Sequence, residues 1–441
     1  MRVFLIGAGQ VGSTIVEALH EDHDVVVLDT EASRLQALTA RFDVAVYEGD
    51  GTSRKDLAEA GIGAADLVIA CTSRDEVNLV VGMFARREAE GATTVIRTSS
   101  IEYVDLWREG QLDVDFVVSS ELETAYAISH ILGVPAARQT DVFADGQVQV
   151  GEFDVDEDAS DDVVGVPLRD ARLPADSKVA AIIREEVTIL PGGDDEIRYG
   201  DRIVVIGSPR AAKAWSALLW PEGGTVRDVV IYGAGRVGSA IARALISQGI
   251  SIRIVEASRE QARRAAEALP KARVFQATGF DPDFLERERI GQAQAGIFAM
   301  RDDAKNEYAA TLARVRGIPF TIAIAHEAVS VGAFDQAGID VAINPRAVTA
   351  EEIVRFAHDP RTQQVAMIEG NRYEVLDVTT RESSRYIGMA FRDMPVHGSI
   401  IGAIVRNGDA VFPHGDDVLQ AGDRVIIFTE AANAPWVVEA L

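Results

Sequence analysis

Short continuous runs of Val, Ile and Leu recur through the first 135 residues, separated by stretches whose apolar positions return every three or four residues. RVFLIGAG, DVVVLD, DVAVYEGD, DLVIACTS and TVIRTSS predict strands; GSTIVEALH and VNLVVGMFARREAEG predict two of the intervening helices. The runs lack the polar–apolar alternation of a half-exposed strand. They therefore predict burial on both faces, in a mostly parallel, doubly wound sheet with helices on each side. From about residue 140 the strands become shorter, as in VQVGEFDV, KVAAIIR and RIVVIG, and are broken by Pro and Gly. This predicts a small α+β domain.

The pattern then begins again. DVVIYGAGRVGSAIARALISQGISIRIVE (228–256) repeats the opening residues, with Gly7 and Gly233 standing 226 positions apart. The smaller segments repeat at an offset of 222, where Arg184, Pro191 and Asp201 recur as Arg406, Pro413 and Asp423. A duplicated two-part module follows: α/β Rossmann-type domains over 1–135 and 227–360, and small α+β domains over 140–222 and 365–441, with the halves joined at 219–226.

Composition narrows the function. The 441 residues carry a formal charge of −26, from 69 Asp and Glu against 43 Lys and Arg. That balance opposes binding to nucleic acid or anionic lipid, which needs clustered cations. The acidic stretch DVDEDASDD lacks the glycine and terminal Glu of a calcium loop and predicts a solvated surface. No apolar run approaches the ~20 residues that cross a bilayer. The first residues enter a strand directly instead of a leader, so a cytosolic location without membrane insertion is expected. Cys71, alone of its kind, permits neither an internal disulfide nor a multi-cysteine zinc cluster and is expected to be buried.

The candidate chemistry is nucleotide binding. Gly7, Gly9 and Gly12 follow the first strand and open a helix, with Ala8, Gln10 and Val11 between them. Such a loop makes a tight turn, admits a pyrophosphate against the backbone and aims helix-end amides at it. Asp29 closes the second strand, where it is expected to hold the adenosine ribose; no arginine directly follows it, which favours NAD(H) over NADP(H). Asp50, Thr72, Ser73 and Arg97 end later strands and are further contacts, although an Asp-Gly turn, a helix cap and a surface ion pair would use them equally well. The second half keeps Gly233, Ala234, Gly235, Arg236, Val237, Gly238 and Glu256. It replaces Asp50 by Thr278 and Thr72-Ser73 by Met300-Arg301, and its matching strand FTIAIAH lacks an arginine. A weaker, altered or empty second site is expected. None of the seven histidines, His358 and His397 among them, lies in an acid–base motif, and no Ser-His-Asp set, metal-binding His pair or P-loop occurs. A regulatory protein without catalytic or metal-ligating residues is therefore expected. A soluble NAD-dependent dehydrogenase is the alternative, and a DNA-binding redox repressor would need a basic face that this composition opposes.

The duplicated order, with GAGQVG, TSRDEVN, IRTSSIEYVDL, GAGRVG and IIGAIVR, resembles the TrkA family of peripheral subunits of Trk potassium-uptake systems, built from tandem RCK domains. The resemblance covers almost the whole chain. It implies a homo-oligomeric, tetrameric ring at the inner face of the cell membrane, beneath a TrkH-type or TrkG-type potassium transporter and gated by NAD(H) and, in relatives, ATP or ADP. It carries nucleotide contacts onto Gly7–Val11, Asp29, Thr72, Ser73 and Arg97, and onto Gly233–Gly238 and Glu256.

Overall fold

The computed structural model describes the chain apart from residues 186, 222–225, 358–361, 369–371 and 395–397. His358, His397 and residues 222–225 of the joint at 219–226 therefore lie outside the described residues. The chain packs into two compact units: Met1–Ala125 with Ile324–Gly332 and Ile343–Asp359, and the remainder, Tyr126–Ala323 with Ala333–Ala342 and Pro360–Leu441.

The first parallel sheet is built from β1 (Arg2–Ile6), α1 (Gln10–Leu19), β2 (Asp24–Asp29), α2 (Ala32–Thr39), β3 (Ala45–Glu48), α3 (Arg54–Glu59), β4 (Leu67–Ala70), α4 (Asp75–Glu88), β5 (Thr93–Thr98), α5 (Ile101–Arg108) and β6 (Phe116–Ser119). Its strand order is β3-β2-β1-β4-β5-β6, with every pair parallel. Val3, Phe4, Leu5 and Ile6 are almost fully buried, because helices cover both faces of β1. The order reverses between β1 and β4, opening a crevice at the carboxyl edge. β6, absent from the sequence expectation, is a four-residue edge strand that runs directly into the next helix.

α6 (Ser120–Gly133) leads to the first small domain: β7 (Ala137–Phe143), β8 (Val148–Asp154), β9 (Ser177–Arg184), β10 (Val187–Ile189), β11 (Arg202–Gly207) and α7 (Pro209–Leu219). The five strands form an antiparallel sheet ordered β10-β9-β11-β8-β7. The repeat follows with β12 (Asp228–Tyr232), α8 (Arg236–Ser247), β13 (Ser251–Glu256), α9 (Arg259–Ala268), β14 (Arg273–Gln276), α10 (Pro282–Arg287), β15 (Ala295–Phe298), α11 (Asp303–Val315), β16 (Thr321–Ile324), α12 (Ala328–Gln336), β17 (Val341–Ile343) and α13 (Pro345–Val354). The second small domain comprises β18 (Thr362–Ile368), β19 (Tyr373–Thr379), β20 (Ser399–Arg406), β21 (Asp409–Val411), β22 (Arg424–Glu430) and α14 (Ala434–Ala440). Strand orders β14-β13-β12-β15-β16-β17 and β18-β19-β22-β20-β21 reproduce the first half, so the α/β fold of two Rossmann-type sheets with small α+β partners stands as expected.

The repeated Arg and Asp of the small domains have a physical reason. Arg184 grips Asp201 through two 2.7 Å bonds, and Arg406 grips Asp423 at 2.9 and 2.7 Å, with both aspartates nearly inaccessible. A planar guanidinium matches a carboxylate bidentately, and losing the arginine would strand a buried carboxylate.

In the second unit the two antiparallel sheets share one core, in which Phe143, Ile206, Val375 and Phe428 are buried together. A Cβ on Gly402 would stand 2.5 Å from Ile206, so only glycine permits the observed approach of β20 to β11. At this seam Gln139 donates to the Met367 carbonyl and Gln364 to the Val142 carbonyl. Beside them burial pushes the Asp141 carboxyl up to about 6, partly opposed by the hydrogen bond from Gln139. Folding thus favours the protonated acid: the gain is full below the unfolded value near 3.8 and is lost as pH rises through about 6. Asp141→Asn is expected to raise stability at pH 7.5 by about 1–2 kcal/mol and to flatten the pH 4–7 dependence, measured by urea unfolding across that range.

Candidate functional site

The chain leaves β1 through Gly7, whose φ of 108° is left-handed, and enters α1 at Gly9, its N-cap. A Cβ on Gly12 would lie 1.9 Å from the Gly7 carbonyl oxygen, so α1 approaches the loop only because this residue has no side chain. Gly9 has open space where its Cβ would be. α1 carries neither a side-chain cap nor an acid in its first turn, which leaves its leading amides without a side-chain acceptor.

Beyond the loop lies a cleft of about 880 Å³ at the switch point. It is lined by Gly7, Ala8, Gly9, Gln10, Val11, Asp29, Asp50, Thr72, Ser73 and Arg97, while Gly12 lies beneath the loop and shapes it. The structure thus brings the first-half candidates to one place.

Several of these residues also have local partners within the chain. Asp29, 7% exposed, accepts from the Ala8 amide at 2.6 Å and the Glu31 amide at 2.8 Å. Its first task is to pin the glycine turn against the end of β2; each oxygen retains a lone pair for a ribose hydroxyl. Asp50 closes an Asx turn on Thr52 at 2.8 Å, and its amide donates to Asp56, which holds that carboxyl below its usual range. Thr72 donates its amide and hydroxyl to Asn78 Oδ1 at 2.9 and 2.7 Å, and Asn78 Nδ2 reaches the Thr72 and Arg97 carbonyls. Asn78, fully buried, therefore ties the ends of β4 and β5 together; its signal was the final letter of TSRDEVN. Ser73 is exposed on the cleft wall. Arg97 Nε donates to Ser120 Oγ at 2.9 Å.

Cys71 sits under the loop, its Sγ 3.5 Å from the Gly7 carbonyl, and burial pushes its thiol up to about 12. Such a thiol stays protonated and is no nucleophile. Among the described residues no three His, Cys, Asp or Glu converge as metal ligands.

Four arginines beyond Arg97 also line the cleft: Arg34, Arg41, Arg74 and Arg346. In a chain of charge −26 this is a local cationic field opposed on the cleft wall by Asp29, Glu31 and Asp50. Although no arginine directly follows Asp29, the first turn of α2 brings Arg34 to 3.9 Å from its carboxylate, while Glu31 pairs with Arg34 at 2.8 Å. The sequence neighbours of Asp29 therefore do not leave this corner without a cation.

Arg346 arrives from the second half of the chain. It stands at the start of α13, which packs across α1 in the same compact unit. Its Nη1 donates to the His326 carbonyl at 2.5 Å and lies 3.6 Å from Glu327, which accepts from Gln10 Nε2 at 2.7 Å. A guanidinium and a carboxylate from residues 324–346 thus flank the N-terminus of α1.

The second loop repeats the backbone device. Gly233 has φ 102°, a Cβ on Gly238 would meet the Gly233 oxygen at 2.1 Å, and Glu256 accepts from the Ala234 and Ser258 amides at 2.8 and 2.7 Å. Gly235 caps α8, which begins with Arg236 and Val237. Asn306 binds the Met300 amide as Asn78 binds that of Thr72, but no hydroxyl is present there.

A profile of the TrkA-N domain matches residues 3–120 and 229–345, and one of the TrkA-C domain matches 151–219 and 375–435. A Trk system potassium uptake protein TrkA homolog of Archaeoglobus fulgidus is 31% identical over 433 residues, 98% of this chain and 97% of that protein. Among solved structures, the GsuK RCK domain superposes with TM-score 0.61 at 18% identity, covering 100% of this chain and 95% of that one. The GsuK channel bound to NAD gives 0.60 at 17%, covering 100% and 79%. These likenesses establish the fold.

Proposed function

The chain belongs to the TrkA family, and from that premise we propose that it is a nucleotide-sensing regulatory subunit that gates a membrane potassium-uptake transporter through NAD(H) bound in the first cleft. One observation carries the reading: a bare glycine loop and an uncapped α1 open onto a cleft walled by five arginines, beside an acid positioned for a ribose. The loop and arginines suit a diphosphate, and Asp29 suits free ribose hydroxyls over a 2′-phosphate. ATP and ADP share the adenosine diphosphate part and fit the same subsites as competing ligands.

Among the described residues no helix is long and apolar enough to cross a membrane. Attachment to the inner face would then come through a TrkH-type or TrkG-type partner, with copies of this chain assembled as a tetrameric ring. A ligand moves such an assembly only through different affinity for two arrangements, and a coupling of about 1–3 kcal/mol per site is the ordinary scale. The glycine loop belongs to residues 1–135 and Arg346 to the second repeat, so phosphate binding engages both repeats at one point. In the second half the lost hydroxyl and arginine leave a weaker site.

The experiment is co-purification with a TrkH-type transporter and potassium flux with NADH, NAD, ATP and ADP added separately. Nucleotide-dependent flux that requires this chain supports the reading; flux indifferent to all four nucleotides contradicts it. Arg346→Ala is expected to weaken NADH binding about tenfold, the scale of one charge-assisted hydrogen bond, in calorimetric titration. Glu327→Gln, which removes the anion beside the loop, is expected to strengthen it.

A further inference from the structure

A second cleft, of about 430 Å³, opens between α10 and α11, lined by none of the glycine-loop residues and assigned to no ligand above. The duplication supplies its own comparison. Where the first repeat has Ile6, Gly61 and Glu88, the second has Tyr232, Arg289 and Arg316, and all three line this cleft. In the first repeat Glu88 is occupied by Arg54 at 2.6 Å, and Gly61 makes the turn with φ 87°. In the second, Arg289 holds the same left-handed turn at φ 50°, a conformation that disfavours a side chain, and neither Arg289 nor Arg316 has an ion-pair partner among the described residues.

The floor is polar at one point. Tyr232 is 3% exposed, packs on Phe298 at 5.0 Å, and its hydroxyl has no hydrogen-bond partner among the described residues. The hydroxyl itself is not sealed off, so it is open to a molecule in the cleft. Burial pushes its pKa up to about 12, so it remains a donor at physiological pH. Behind it Arg253 is bound to the carbonyls of Glu288 and Arg289 and to Asp228. The walls are Leu285, Ile290 and Leu312, with Glu286 the one acid on the rim.

We infer that this cleft is a binding site for a small organic acid, a compact apolar body carrying one carboxylate or phosphate group. Its anionic end would take the two guanidiniums and the phenol, and its body the aliphatic walls. The site distinguishes the second repeat from the first: the change that costs the second repeat its nucleotide contacts is accompanied by three donors on another face.

The test is calorimetric titration of the intact chain with hexanoate, hexyl phosphate and hexanol. Both acids are expected to bind and hexanol not to. Arg289→Gly combined with Arg316→Glu, the first repeat's own residues, is expected to weaken acid binding by about tenfold or more, and Tyr232→Phe by about threefold to tenfold. Glycine is the natural occupant of the left-handed turn, so the double variant should fold, and its melting curve checks this. Failure of both acids to bind, equal binding of hexanol, or unchanged binding in the folded double variant would each overturn the inference.

Discussion

Gly12→Ala is expected to lower NADH affinity about a hundredfold or more, a loss of at least ~2.7 kcal/mol of binding free energy. The added methyl would sit 1.9 Å from the Gly7 oxygen, which is backbone and has no alternative rotamer. Either α1 retreats or the loop opens, and both move the leading amides of α1 away from a bound diphosphate. The overpacking also destabilises the first parallel sheet, by about 1–3 kcal/mol. Titration with NADH together with a denaturant midpoint separates the two effects. A folded Gly12→Ala protein that binds NADH like the wild type would show that the loop is not the phosphate site.

The second large effect compares the repeats. Asp29→Ala leaves the Ala8 and Glu31 amides without their carboxylate, and Glu256→Ala does the same to Ala234 and Ser258. Similar losses of stability, about 2–4 kcal/mol, are expected for two amides that lose a charged acceptor. The functional outcomes should part. Only the first loop's acid stands in a cleft with Arg97, Arg346 and the Thr72 hydroxyl, so Asp29→Ala is expected to abolish nucleotide-dependent potassium flux while Glu256→Ala retains most of it. Flux measured with each folded variant and its transporter checks this. Equal loss in both would make the two repeats equivalent sensors, and an Asp29→Ala protein that no longer binds nucleotide yet still responds to it would end the proposed mechanism.

These contrasts show what the amino-acid pattern discloses. Local devices were legible: the glycine loops and the acids at Asp29 and Glu256 each arise from one strand–turn–helix, where spacing fixes geometry, whereas the repeated Arg184, Asp201, Arg406 and Asp423 marked the duplication without disclosing that they pair. Buried parallel strands were legible as Val and Ile runs. The edge strands β6 and β7 were not, since β6 runs straight into α6 without an intervening turn and β7 is half polar. Arg346 was hidden for a different reason, its distance along the chain. It reaches the first loop after more than 300 intervening residues, through the packing of α13 on α1, which no local period encodes. Arg34 was missed because a helical turn, not the next position, brings it to Asp29. The three replacements around Tyr232 become meaningful only when the two folded repeats are laid side by side.

The central claim is that the first glycine loop holds the diphosphate of an adenine dinucleotide. Isothermal titration of the intact chain with NADH, beside the Asp29→Ala and Gly12→Ala proteins, tests it most directly. One dominant binding event, lost in both variants while each remains folded, is the predicted result. No detectable binding of NADH, NAD, ATP or ADP to the wild-type chain, or binding that survives both substitutions, would contradict it.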